Sequence, residues 1–179
     1  MTRHVVVTGP IGIGKTTVCR RVIRSAQASG YTVRGILTPA LYDERGEKIG
    51  IAICDVATGA ARVLARVTED VQRRTVGMYA FDQGALEWGR RILENAPREG
   101  CDLLAVDEVG PLELHRGGGF AVALDLVREN AVPRSLVIVR EALLEAYQQR
   151  LGSVLITAFH VTAANRDQVP GEIVSHLFG

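Results

Sequence analysis

Residues 9–16 read GPIGIGKT, which are Gly9, Pro10, Ile11, Gly12, Ile13, Gly14, Lys15 and Thr16. The stretch fits the P-loop pattern G-x-x-x-x-G-K-[ST] at every constrained position. It follows a short β-branched run, His4 to Thr8, that is typical of a buried parallel strand. It opens a segment, Thr16 to Ser29, whose apolar residues recur at helical spacing. This strand–turn–helix setting is the one in which such a loop binds phosphate.

The chemistry of a triphosphate explains these residue types. Successive backbone N–H groups in a tight turn form a concavity for one anion, and glycines let the backbone approach it closely. The N-terminus of the following helix adds a partial positive charge. Lys15 is placed to reach the β- and γ-phosphates, and the Thr16 hydroxyl to ligate Mg²⁺. With Thr17 beside them, residues 9–17 form the predicted phosphate site; the alternative is a glycine turn before an ordinary helix.

A second candidate lies about ninety residues further on, where the apolar run DLLAV at 102–106 ends in Asp107-Glu108. Magnesium bound to a triphosphate needs a nearby carboxylate, and strand ends at the carboxyl edge of a parallel sheet supply one. Asp107 is therefore predicted to ligate Mg²⁺. Glu108 is predicted to position and polarise the attacking water. Acidic residues after strands are also common as the solvated start of a loop, which is the alternative interpretation.

The chain as a whole alternates strand and helix patterns, which predicts one α/β domain over residues 1–179. We expect three layers with a mostly parallel central sheet, and an added β-hairpin over roughly 31–56 whose turn is at 43–46. Periodicity predicts helices at 84–96, 120–130, 141–150 and 170–177, and strands at 62–66, 135–139 and 154–159. Residues 110–119, with a proline and three successive glycines, are expected to form a loop.

Composition excludes several classes of protein. The 179 residues carry 21 Lys plus Arg and 20 Asp plus Glu, so the net charge of +1 gives no general attraction to nucleic acid or membrane. The three cysteines, Cys19, Cys54 and Cys101, are too far apart for a zinc pair and odd in number, which indicates a reducing cytoplasm. No secretory signal or membrane-spanning run is visible. The sequence does not indicate protein partners.

Two further candidates each have a structural alternative. Asn165 and Arg166 follow the last predicted strand, so they are expected near the nucleotide, in contact with base or sugar. The alternative is a cap for the last helix. Arg140, after the run SLVIV, could stabilise charge on the γ-phosphate as an arginine finger does, or could simply begin a helix at the surface.

Several stretches together resemble the cancer-related nucleoside-triphosphatase family, which includes thermophile nucleotide phosphatases. The matching stretches are TGPIGIGKTT, GILT at 35–38, ERGEKIG at 44–50, VGMY at 76–79, LLAVDEVGPLEL at 103–114 and VTAANRD at 161–167. The resemblance implies a RecA-like P-loop core that hydrolyses ATP, GTP and other nucleoside triphosphates slowly. It implies phosphate and Mg²⁺ contacts from Lys15 and Thr16, and an acidic metal-and-water site from Asp107 and Glu108. The chain departs from the family pattern at Pro39-Ala40 and at Met78.

Three function classes remain open at this point. The first is a nucleoside triphosphatase, with Lys15 and Glu108 as catalytic residues and Mg²⁺ as cofactor. The second is a kinase that moves the γ-phosphoryl group to a small molecule or nucleotide, but such kinases usually have an arginine-rich lid, and residues 110–119 contain only Arg116. The third is a GTP-dependent switch. Asp107-Glu108-Val109-Gly110 fits D-x-x-G, but the guanine-reading N-K-x-D motif is missing.

Overall fold

The structure, a computed structural model, describes residues 3–179. The strands are β1 Arg3–Thr8, β2 Val33–Leu37, β3 Ala40–Tyr42, β4 Lys48–Asp55, β5 Ala61–Val67, β6 Tyr79–Phe81, β7 Leu103–Val109, β8 Arg134–Val139 and β9 Ile156–His160. The helices are α1 Lys15–Ala28, α2 Gln83–Asn95, α3 Pro111–Arg116, α4 Val122–Arg128, α5 Leu144–Leu151 and α6 Val169–Phe178. Within the described range, no helix has the length and apolar character needed to cross a bilayer.

The nine strands found in residues 3–179 join one sheet in the order β6-β5-β4-β2-β7-β8-β1-β9, with β3 paired to β4. The five strands from β2 to β9 in this order are mutually parallel. Helical crossovers connect them, as parallel strands require. The carboxyl ends of these five strands therefore meet at one edge of the sheet, which we call the carboxyl edge. β8 lies between β1, which leads into the P-loop, and β7, which carries the acidic pair.

The sheet is covered on both faces, which confirms the expected three layers. One face packs against α1 and α6 through Val18, Cys19, Val22, Ile23, Ala26, Ile173 and Leu177. The other packs against α2, α4 and α5 through Ala85, Leu93, Ala123, Leu124, Val127, Tyr147 and Leu151. Because β1 and β8 are buried on both faces, their side chains are apolar in near-continuous runs. The two cores fix the strand ends that carry the candidate site.

The added antiparallel part is larger than a hairpin. The expected hairpin is present, since Asp43 N donates to Glu47 O at the turn between β3 and β4. β5 and β6 then extend the sheet from β4 in antiparallel order. The first arm of the expected hairpin, before the turn at 43–46, is divided into β2 and β3 at Pro39, whose carbonyl accepts a hydrogen bond from Ala52 N. The three-residue β6 was not predicted, because it is too short to show a periodicity.

The expectation of a loop over residues 110–119 is wrong, since α3 occupies Pro111–Arg116. Pro111 lies at the first helical position, where its missing N–H costs no hydrogen bond. The Glu113 carboxylate accepts a hydrogen bond from Gly110 N at 2.9 Å and closes the helix start as in a capping box. Gly117, with φ of 62°, ends the helix in the left-handed conformation. The proline and the glycine mark helix ends here rather than a loop.

Candidate active site

The P-loop follows β1 directly and opens α1. Gly9 has φ of +141°, and a Cβ on it would lie 2.6 Å from the carbonyl oxygen of Val161, so only glycine fits. Gly14, with φ of 107°, is the N-cap residue directly before α1, and it provides no side-chain cap. The first turn of α1 contains no acidic residue. The helix N-terminus therefore presents backbone N–H groups and a positive partial charge that an anion can take up.

Lys15 is buried, and its ammonium group folds back over the loop. Its Nζ atom donates hydrogen bonds to the carbonyl oxygens of Gly9 and Pro10, each at 2.8 Å. Burial lowers the pKa of Lys15, while the nearby charges of Glu108 and Asp107 oppose this effect. The ammonium thus lies beside the concavity of the loop and within electrostatic range of both acidic candidates.

The P-loop and the acidic pair meet at the carboxyl edge. The hydroxyl of Thr16 donates a hydrogen bond to Oδ2 of Asp107 at 2.8 Å, across 91 positions of sequence. Both residues were predicted as Mg²⁺ ligands, and the structure brings their oxygen atoms together. Among residues 3–179 no cluster of three or more His, Cys, Asp or Glu could hold a metal alone. One hydroxyl and one carboxylate fit a magnesium ion that takes its other ligands from water and phosphate.

The pKa of the Asp107 carboxyl is well above the usual range for aspartate. Only 3% of its surface is exposed, and this burial raises its pKa to about 7, with a further contribution from the charge of Glu108. The hydrogen bond from Thr16 opposes the rise. A buried carboxylate that ionises only at neutral pH is stabilised by a bound cation, which is what a metal ligand requires.

Glu108 lies next to Asp107 at the end of β7, and its side chain turns towards β8. Its Oε1 atom accepts a hydrogen bond from Nε of Arg140 at 2.7 Å. Arg140 directly follows β8, where Val139 is in register with Val109 of β7. Arg140 is exposed and directly precedes a 3-10 helix at 141–143, as the surface alternative expected, and it forms an ion pair with the predicted water-positioning residue.

The loop after β9 begins beside the P-loop, since Val161 N donates to the oxygen of Thr8, the last residue of β1, at 2.8 Å. Within this loop the Asn165 amide is already engaged: Oδ1 accepts from Thr162 N at 2.8 Å and Nδ2 donates to His160 O at 2.9 Å. These bonds order the loop, but they do not cap the last helix as the alternative expected, because α6 begins after Gln168 without a side-chain cap. Arg166 is exposed. A contact of either side chain with base or sugar stays a prediction, and Arg166 is the freer of the two.

Two residues that order the site were not singled out from the sequence. The hydroxyl of Thr38 donates a hydrogen bond to the main-chain oxygen of Asp107 at 2.6 Å, which ties the end of β2 to β7. Glu113 is buried and also accepts from Phe120 N at 3.1 Å, so it holds the chain on both sides of α3. The spacing Gly110-x-x-Glu113 after a strand, with Pro111 between them, is a helix-start signal that could have identified Glu113.

The raised pKa of Asp107 leads to a prediction about stability. The pKa of about 7 in the folded protein exceeds the ordinary aspartate value of 3.8, so the folded state holds the proton more tightly than the unfolded state. The contribution of protonated Asp107 to the free energy of unfolding is complete below pH 4 and is lost as the pH rises through 7. In metal-free buffer Asp107→Asn should therefore gain stability over the wild type as the pH rises from 5 to 8. The gain should be roughly 3 kcal/mol, because the difference in proton binding integrates to about two units over this range and one unit is about 1.4 kcal/mol. Urea unfolding at both pH values measures this difference.

The same substitution at Asp125, a partly exposed carboxylate paired with Arg128, is the matched control. Its stability should change with pH in the same way as that of the wild type. Identical pH dependence in the Asp107→Asn and wild-type proteins would show that Asp107 ionises normally. Excess Mg²⁺ should reduce the difference, because the bound cation stabilises the ionised carboxylate.

Comparison with known proteins agrees with this geometry. The family model described as NTPase matches residues 4–174. The chain is 34% identical to nucleoside-triphosphatase THEP1 of Methanopyrus kandleri over 99% of this chain and 96% of that protein. It is 35% identical to nucleoside-triphosphatase THEP1 of Methanosarcina barkeri over 97% of each.

Two solved structures share the fold. The solution structure of a human cancer-related nucleoside triphosphatase aligns with a TM-score of 0.71 and 26% identity over 99% of this chain and 98% of that one. The crystal structure of THEP1 from Aquifex aeolicus aligns with a TM-score of 0.76 over 98% of this chain and 99% of that one, and at 20% identity it supports the fold alone. The resemblance seen in the sequence is therefore confirmed over its full length. The chain belongs to the NTPase family.

Proposed function

We propose that the chain hydrolyses nucleoside triphosphates to diphosphate and phosphate at the carboxyl edge, with Mg²⁺ as cofactor. The observation that carries this proposal is the 2.8 Å contact between the Thr16 hydroxyl and the Asp107 carboxylate. It joins the phosphate-binding loop to the acidic strand and places two hard oxygen ligands side by side. Family membership supports the hydrolysis, since the relatives in Methanopyrus and Methanosarcina are named nucleoside-triphosphatases.

Different residues of the site bind the phosphates, hold the metal and position the water. The backbone N–H groups of the loop, those of residues 9–17 other than Pro10, hold the phosphate oxygens, and Lys15 neutralises charge on the β- and γ-phosphates. Thr16 and Asp107 would hold Mg²⁺, which when bound polarises the phosphate oxygens and offsets their charge. Glu108 orients a water molecule in line with the γ-phosphorus and accepts a proton from it. Phosphoryl transfer needs this positioning and charge stabilisation more than covalent help from the protein.

The cysteines support a proposal about the compartment. Cys19 is buried, Cys54 and Cys101 are partly buried, and all three are free thiols. Burial raises the pKa of Cys19 well above its usual range and that of Cys101 to about 11, so these thiols stay protonated and unreactive. Unpaired thiols of this kind suit a reducing compartment, and we propose the cytoplasm.

A panel of ATP, GTP, CTP and UTP, each with Mg²⁺ and with a chelator, tests the proposal. We expect phosphate release from several of the four nucleotides with Mg²⁺ and none with the chelator. Phosphate release that requires an added acceptor, with a phosphorylated product, would replace the hydrolase with a kinase. Hydrolysis confined to GTP would favour the switch, although no N-K-x-D motif reads guanine in this sequence. The absence of release from all four would refute the proposal.

A further inference from the structure

Glu108 and Arg140 lie at the ends of two neighbouring parallel strands. Glu108 is the second-last residue of β7, and Arg140 follows the last residue of β8. Val109 and Val139 are partners across the two strands. The side chains therefore approach each other across the carboxyl edge, where the Nε–Oε1 distance is 2.7 Å. The register between β7 and β8 is irregular between Val106 and Val109, and Glu108 lies within this irregular part.

The ion pair occupies only half of the Glu108 carboxylate. Among residues 3–179, Arg140 is the only hydrogen-bond partner of the Glu108 side chain, and it binds Oε1. Oε2 consequently has no partner from the described part of the chain. A carboxylate needs one oxygen free to accept a proton from water, and it needs a fixed orientation to hold that water in line. The contact with Arg140 fixes the orientation and leaves the second oxygen available.

The position of β8 in the sheet places Arg140 between the two halves of the site. β8 has β1 on one side and β7 on the other, so Arg140 emerges between the P-loop and the acidic pair. Its positive charge also reaches Lys15, since it contributes to lowering the pKa of that residue. A guanidinium group stays charged at any working pH, which suits a residue that must hold a carboxylate.

We propose that Arg140 is a positioning residue that acts through Glu108. This inference rests on the proposed hydrolysis. In the step it serves, the water oxygen forms a bond to the γ-phosphorus while the bond from phosphorus to the bridging oxygen breaks. The diphosphate leaves with the electron pair of that bond. Glu108 takes the proton from water and later releases it to solvent. Arg140 transfers no proton; its Nε–H holds Oε1 so that Oε2 faces the water.

If the ion pair had only a structural role, replacing Arg140 would change little. Such pairs contribute about 0–1 kcal/mol to stability, and the Arg140 side chain is 51% exposed. A purely structural role therefore predicts small changes in both urea midpoint and turnover when Arg140 is replaced. A positioning role predicts unchanged stability but slower turnover, because misplacing a reacting group by about 1 Å can cost on the order of 100-fold.

The test is a double-mutant cycle with Arg140→Ala and Glu108→Gln, followed by phosphate release from ATP with Mg²⁺. We expect Arg140→Ala to lower kcat by about 10- to 100-fold with KM nearly unchanged, and Arg140→Lys to restore part of the loss. In the Glu108→Gln background the Arg140→Ala change should have almost no further effect, because the group it positions has lost its function. Binding of ADP and the urea midpoint should stay at wild-type values.

Arg150→Ala is the matched control, since it removes an exposed arginine from the end of α5 and should leave kcat unchanged. Wild-type turnover in Arg140→Ala would overturn the role of Arg140 and leave the proposed hydrolysis intact. The same fold-loss from Arg140→Ala in both backgrounds would also overturn it, because Arg140 would then act independently of Glu108. Absence of phosphate release from the wild-type protein would instead refute the proposed function, and this inference with it.

Discussion

Replacing Lys15 by alanine should lower phosphate release from ATP by at least about 100-fold, to the limit of detection in a standard assay. Removal of one preorganised donor from developing charge costs about 10²–10³ in kcat. The Lys15 ammonium is held at the loop by the carbonyls of Gly9 and Pro10, so its charge is in place before substrate arrives. Alanine removes that charge without adding bulk. Affinity for ADP should also fall, because part of this charge acts on the β-phosphate.

The chain supplies its own control for this experiment. Lysine occurs at only two positions in the sequence, 15 and 48. Lys48 is exposed at the start of β4, with its ammonium 5.2 Å from the centre of the Tyr79 ring. Lys48→Ala removes the same charge and should keep wild-type phosphate release. A Lys15→Ala protein that folds, as judged by circular dichroism, and keeps more than a tenth of the wild-type rate would contradict the assignment of Lys15.

The P-loop could be predicted from sequence because its requirements are local. The glycines, the lysine and the threonine all lie within eight consecutive residues, between a strand and a helix. The same holds for the acidic pair, since an apolar run that ends in two carboxylates shows both the strand and its polar end. The spacing of the motifs could not show that they touch. The contact between Thr16 and Asp107 depends on β8 being inserted between β1 and β7.

The features missed from sequence depend on partners that are distant along the chain or on very short elements. The Thr38 hydroxyl binds the main chain of Asp107, 69 positions away, and no pattern of residue types shows this. The ion pair of Arg140 with Glu108 likewise spans 32 positions. The wrong prediction of a loop at α3 has a different cause. It rests on the residue types in 110–119 and not on where the proline and the glycines lie relative to the helix ends. A proline and three glycines are typical of a loop, but proline is tolerated at the first helical residue, which Pro111 occupies.

Glu108→Gln should slow hydrolysis by at least about 100-fold while nucleotide binding is kept. General-base catalysis contributes about 10²–10⁴ to rate, and an uncharged amide cannot accept the proton. Glutamine has almost the same shape as glutamate, and its Oε1 can still accept the hydrogen bond from Arg140. The substitution therefore changes proton affinity more than geometry. Single-turnover phosphate release, together with ADP and ATP binding measured by calorimetry, separates the chemical step from binding.

Glu141→Gln provides the matched control for the lost negative charge. Glu141 is exposed, lies one residue beyond Arg140, and acts electrostatically on Lys15, as Glu108 does. If the rate depended only on the total charge around Lys15, both glutamine variants would slow hydrolysis alike. We expect Glu141→Gln to hydrolyse ATP within about twofold of the wild type, because its carboxylate does not belong to the end of β7. Retained turnover in Glu108→Gln would remove Glu108 from the role of base and leave water activation to the metal site alone.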